Sequence, residues 1–140
     1  MVRAEPQVQA PERVFRAMRR ASNGQPACGS GACQLGVRPG TDIPVDADGF
    51  VRPQSGGLSV TPIDIRYLPP HVRPIRFPGG RGKLPVFGLH TAHLRMPLML
   101  RLDPGNPERH AFVEPDAAML LRDYQTALCA TASHWQEESP

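Results

Sequence analysis

The chain has 140 residues, which is the size of one domain with one modest hydrophobic core and leaves little room for a second. Its 17 Pro and 13 Gly fall mostly between short apolar runs, which predicts many turns and short elements and argues against a helical bundle. The formal charge of +3 suits an anionic partner, and the longest apolar stretches, such as 96-MPLML-100, are far short of the roughly twenty residues that a membrane-spanning helix needs.

Residues 1–12 are polar, carry Pro6 and Pro11, and read as a flexible tail ahead of a single domain over 13–140. They lack the apolar centre of a signal peptide, so a soluble protein is expected, and export would need a leaderless route. The segment 13-RVFRAM-18 reads as a strand, with a short helix through Arg20 as the alternative, since six residues are too few for periodicity to decide. The run from Ser22 to Gly36 is rich in Gly and Ser and is expected to be a mobile loop. It holds Cys28 and Cys33. With Cys129 these make an odd count, so free thiols are expected, and 28-CGSGAC-33 lacks the second pair or nearby His of a zinc site.

In 38-RPGTDIPVDADGFVRPQSGGLSV-60 the dipeptides Pro39-Gly40, Asp48-Gly49 and Gly56-Gly57 mark three turns. Short β pieces fit between them, near Ile43, Phe50-Val51 and Leu58–Val60. The Pro-rich stretch 67-YLPPHVRPIRFPGGRGKLP-85 reads as a surface excursion. Strands are predicted over 86–90, 98–103 and 110–114, with a core face of Phe87 or Val86, Leu98, Leu100, Leu102 and Phe112 or Val113. One helix is expected after Asp116 as its cap. It would bury Ala117, Leu121, Tyr124, Leu128 and Trp135 and leave Arg122, Asp123 and Gln125 in water.

Charge is unevenly placed. Residues 61–112 hold eight Lys and Arg against three acids, whereas 113–140 hold one against five. A nucleotide diphosphate, a nucleic acid and an acidic protein all fit a basic middle, but the charges are spread out rather than clustered, and nucleic acid is the weaker candidate. Single polar residues have bland readings beside functional ones: Glu114 favours a helix start, Arg16 an ordinary strand, and Ser59 a turn cap. His90, His93 and His110 with Glu114 supply the acid and base types that metal-independent RNA cleavage needs. The glycines of 79-GGRGK-83 lack P-loop spacing and read as an exposed basic turn.

The stretch 38–60, with 67-YLPPH-71, 85-PVF-87, 113-VEP-115 and 124-YQTAL-128, resembles the second Tse-type class of type VI secretion effector toxins and their small bacterial relatives. The likeness runs in one order over roughly residues 13–136. It implies an α+β fold with a compact ADP-ribosyltransferase-like core, in which two small, mainly antiparallel β-sheets are edged by a C-terminal helix and long loops. It also implies an NAD-dependent transferase or NAD glycohydrolase that needs no metal.

Within the arginine–serine–glutamate pattern, Arg16 in 14-VFRA-17, Ser59 in 56-GGLSV-60 and Glu114 in 112-FVEP-115 match the catalytic positions. Glu114 would offset the positive charge that grows on the ribose as nicotinamide leaves. Arg16 would bind the NAD diphosphate or ribose, and Ser59 would orient the nicotinamide ribose and the carboxylate. Gly56 and Gly57 would let the backbone approach the ligand, and Tyr67 or Phe87 would stack on nicotinamide or else belong to the core.

Phe112 stands two residues before Glu114, where members that modify arginine carry Glu or Gln, which argues against an arginine acceptor. As a toxin the chain would act in the cytoplasm of the cell it reaches, on an unknown macromolecular acceptor or on water. Its producer would need a cognate immunity protein. A ribonuclease toxin and a non-catalytic, partner-binding member of the same fold are the alternatives.

Overall fold

A computed structural model describes residues 10–140. Strands β1 (Arg13–Ala17), β2 (Phe50–Val51), β3 (Leu58–Pro62), β4 (Val86–His90), β5 (Leu98–Leu102), β6 (Ala111–Pro115), β7 (Met119–Leu120) and β8 (Gln136–Glu137) are joined by one α-helix, α1 (Leu121–Cys129). The fold is α+β. Six strands form an antiparallel sheet in the order β5-β6-β3-β1-β4-β8, and β2 with β7 forms a second, two-stranded sheet. Among the described residues no helix is long and apolar enough to cross a membrane.

Period-two alternation explains both faces of the large sheet. Val14, Leu58, Val60, Phe87, Leu89, Leu98, Ala111 and Val113 turn to one side and join Leu35, Val37, Ile43, Val51, Tyr124, Leu128 and Trp135 in the main core. Phe15 and Val86 turn to the other side, where Leu68 from the Pro-rich excursion covers them. Both residues of the Phe87/Val86 pair are therefore buried, on opposite faces. Of Phe112 and Val113, only Val113 lies in the core.

Several expectations need correction. The helix does not begin after Asp116: Met119 and Leu120 pair with Val51 and Phe50, and this ladder delays the helix until Leu121, whose N–H donates to the carbonyl of Gly49 at 2.9 Å. It ends at Cys129, and Trp135 is buried beyond a separate 3-10 turn, its Nε1 donating to Thr131 Oγ1 at 2.9 Å. Gln125 is not a solvent residue, because its side chain accepts from Val37 N at 2.9 Å and donates to Val37 O at 2.8 Å.

The expected free thiols give way to a disulfide between Cys28 and Cys129, which ties the Gly-rich segment to the end of α1, while Cys33 is free. That segment is a folded wall, with Leu35 buried and the N–H of Leu35 donating to Ala27 O at 2.7 Å. The pairing was hidden because 101 positions separate the two cysteines and nothing local links them. Of the expected tail, residues 1–9 lie outside the described residues. The Pro11 and Glu12 carbonyls accept from Thr91 Oγ1 and Thr91 N, at 2.8 and 2.9 Å.

Candidate functional site

Strand β3 has two different neighbours along its length. Leu58–Val60 pair with β6, whereas Thr61 and Pro62 pair with Phe15 and Val14 of β1. Past Phe15 the two strands part, and the Ser59 carbonyl takes its hydrogen bond from the Arg16 guanidinium at 2.9 Å instead of from a β1 amide. A cleft of about 400 Å³ opens at this parting, bordered by Arg16, Cys33, Arg38, Asp42, Ser59 and His110 among others. Volumes of this order suit small-molecule sites.

Arg16 sets the electrostatics of the cleft. Its second described bond goes to Gln34 O at 3.2 Å, so the disulfide-tethered segment closes one wall. Its Nε is out of water and has no protein partner among the described residues. Burial lowers the guanidinium from its ordinary value, and the charge of Asp42 opposes this only in part. Asp42 is itself engaged by Arg38, which donates through Nε at 3.3 Å, through Nη2 at 3.1 Å and through its backbone N–H at 2.6 Å. Burial works to raise the Asp42 carboxyl, but the bonds from Arg38 outweigh it and hold the group below its ordinary value. Among the described residues Arg16 thus carries a largely desolvated positive charge bonded only to neutral carbonyls, an arrangement that an incoming anion would stabilise.

Glu114 is 1% exposed and lies on the same sheet face as Ser59. Ser59 faces Phe112, and Glu114 is the diagonal neighbour, a relation that places Cα atoms roughly 7–8 Å apart. Its Oε2 accepts from Arg101 Nε and from Gln54 N, both at 2.9 Å, and the Arg101 guanidinium also lies 4.8 Å from the Phe112 ring centre. Arg16 and Ser59 are therefore together at the cleft, while Glu114 stands behind Ser59, occupied by Arg101.

Several expected ligand contacts are used by the fold. Gly57 (φ 146°) is pressed against β6, where an added Cβ would lie 2.6 Å from Val113 O, and its N–H donates to Asp42 O at 2.9 Å. Gly56 is pressed against the Asp42 carbonyl in the same way. These glycines serve the approach of the chain to itself rather than to a ligand. Phe87 is fully buried in the core and cannot stack on a ligand. Tyr67 is half-buried, with the Arg109 guanidinium 4.8 Å from its ring centre, in a groove that shares Thr61, Leu68, Pro69 and His110 with the cleft.

The histidines divide. His93 stacks on His134 with ring centres 3.9 Å apart, whereas His110 borders the cleft with its Nδ1 2.7 Å from Asp103 Oδ2. Among the described residues no group of three or more His, Cys, Asp or Glu gathers as metal ligands would. Arg38, Asp42, Asp103 and Arg109 were not singled out from sequence. They sit in loops 22–93 residues from Arg16, and only the paired polar types at short spacing, as in Arg38 and Asp42, carry any local signal.

No family model, no curated protein and no solved structure matches this chain.

Proposed function

We propose that the chain is an ADP-ribosyltransferase-type toxin that takes NAD as substrate in the cleft between β1 and β3. The observation that carries this reading is Arg16, a charge largely withdrawn from water whose Nε has no protein partner among the described residues, at the point where two strands part. A phosphate oxygen would satisfy that donor, and a charge-assisted bond of this kind is among the stronger ones a protein makes. The adjoining groove, with Tyr67 under Arg109, offers a ring face and a second positive charge for the remainder of a dinucleotide.

Cleavage separates nicotinamide from the ribose and leaves positive charge on the sugar. Arg16 would bind the diphosphate, and the Ser59 hydroxyl would fix the ribose. Glu114, diagonal to Ser59, would supply the carboxylate that offsets the growing charge. For that the substrate must take over from Arg101, whose side chain is 22% exposed. Nicotinamide departs as a neutral base and needs no acid. The ordered likeness to the Tse-type toxins supports the same reading, including a cytoplasmic target and an immunity protein that covers the cleft.

The test is NAD consumption by the purified protein, alone and with cell lysate, for wild type and Glu114→Gln. The expected result is loss of NAD by wild type and at least a 100-fold slower loss by the variant. Acceleration by lysate would identify a macromolecular acceptor. Wild type inert toward NAD in both settings would overturn the proposal.

A further inference from the structure

We infer that His110, held by Asp103, is the proton acceptor for the nucleophile that attacks the ribose in the cleft; this rests on the NAD reading above. The two residues come from the ends of neighbouring strands. Asp103 follows β5 and His110 precedes β6, and the intervening loop is closed by Asp103 N donating to His110 O at 3.0 Å and by His110 N donating to Asn106 O at 3.0 Å. The backbone thus fixes both side chains.

Asp103 Oδ2 lies 2.7 Å from His110 Nδ1, and its Oδ1 accepts from Gly105 N at 2.9 Å, so the carboxylate is itself oriented. The Phe112 ring meets the imidazole edge-on at 4.6 Å and limits its rotation. With the Nδ1 proton directed at Asp103, the neutral ring presents a lone pair at Nε2, which has no protein partner among the described residues. His110 is also common to the Arg16 cleft and the Tyr67–Arg109 groove, so a dinucleotide that spans both would pass beside the imidazole.

The charged groups around the pair are Asp103, Arg101, whose charge acts on Asp103, Arg109 in the adjoining groove, and Arg16, Arg38 and Asp42 along the cleft that His110 borders. Asp103, in direct contact with Nδ1, stabilises the imidazolium that forms when His110 takes a proton.

The step balances as follows. An O–H of water or of a hydroxyl-bearing acceptor gives its proton to His110 Nε2 as its oxygen bonds to the anomeric carbon. The bond from that carbon to the nicotinamide nitrogen breaks, with the electron pair leaving on nicotinamide. The imidazolium then releases its proton to solvent. His110 is the catalytic residue in this step, and Asp103 is a positioning residue.

The experiment compares wild type, His110→Ala, His110→Gln and Asp103→Asn. It measures the Kd for NAD by calorimetry and nicotinamide release with and without added imidazole. Expected for His110→Ala are a Kd within about threefold of wild type, release slowed roughly 100-fold or more, and partial recovery with imidazole that wild type does not display. Asp103→Asn should slow release by a smaller factor with the Kd unchanged.

Should His110→Ala fail to fold, His110→Gln, whose amide can still reach Asp103, carries the comparison. Release at the wild-type rate in the His110 variants, or a slowing matched by loss of NAD binding and unmoved by imidazole, overturns this inference and leaves the NAD reading standing. A wild type that consumes no NAD overturns both.

Discussion

The contact of α1 with β3 and the parting of β1 from β3 lie a few residues apart, and each takes a polar side chain out of water in a different way. At the first, Tyr124 is fully buried, and its hydroxyl both donates to Val113 O at 2.5 Å and accepts from Leu58 N at 3.2 Å. At the second, Arg16 bonds two carbonyls, has an Nε with no protein partner among the described residues, and shares its cleft with a carboxylate, Asp42, that is engaged by Arg38. A satisfied buried group holds a fold together, whereas a partly satisfied charge costs stability and persists where a ligand uses it. The first contact is structural by this criterion, and the second is where function is expected.

The contrast can be broken most severely at Gly57. Alanine there must accept φ 146° and a Cβ 2.6 Å from the Val113 carbonyl, forcing β3 away from β6. Gly57→Ala should lose about 3 kcal/mol in denaturant unfolding. A loss under about 1 kcal/mol would mean that this approach is not as tight as described.

Tyr124→Phe comes next, at about 2 kcal/mol, because it leaves the Val113 carbonyl and the Leu58 N–H without their partner. Burial, aided by the charges of Glu114 and Asp42, raises the phenol well above its ordinary value of 10.0, against a smaller opposing effect of the Leu58 N–H. The unfolded chain therefore loses this proton first. Stability from this group is fully present below pH 10.0 and declines as pH rises above it toward the folded value. An alkaline melting series should display that decline in wild type and a flatter profile in Tyr124→Phe.

The smallest effect on stability belongs to the cleft. Arg16→Met removes a poorly compensated charge along with the donors to Ser59 O and Gln34 O, and these opposing effects should leave stability within about 1 kcal/mol of wild type. A loss comparable to that of Tyr124→Phe would make Arg16 a structural residue and erase the contrast.

Much of this arrangement could be read from sequence. The strands at 13–17, 86–90, 98–102 and 111–115 follow from alternating apolar residues between Pro and Gly turns, and the turns at Asp48-Gly49 and Gly56-Gly57 bracket β2 and precede β3. The helix start is not legible because Met119 and Leu120 suit a helix locally, and only the distant Phe50–Val51 strand draws them into a ladder. The order of the Gly-rich segment likewise comes from a distant residue, Cys129.

Within the candidate site, Arg16 meets the backbone carbonyl of Ser59 where β1 parts from β3, a pairing that no single motif fixes. The pairing of Glu114 with Arg101 depends on cross-strand register, which single-strand patterns do not fix. His110 was visible as a histidine, but its carboxylate lies across a loop from it, and the cleft that it borders exists only in the folded chain.

The most direct test of the central claim is calorimetric titration of NAD into wild type, Arg16→Met and Tyr124→Phe at neutral pH, at a temperature where all three are folded. The account predicts binding by wild type, binding at least 10-fold weaker in Arg16→Met, and an affinity in Tyr124→Phe within about threefold of wild type. Binding that Arg16→Met leaves unchanged, or no binding by wild type, would contradict it.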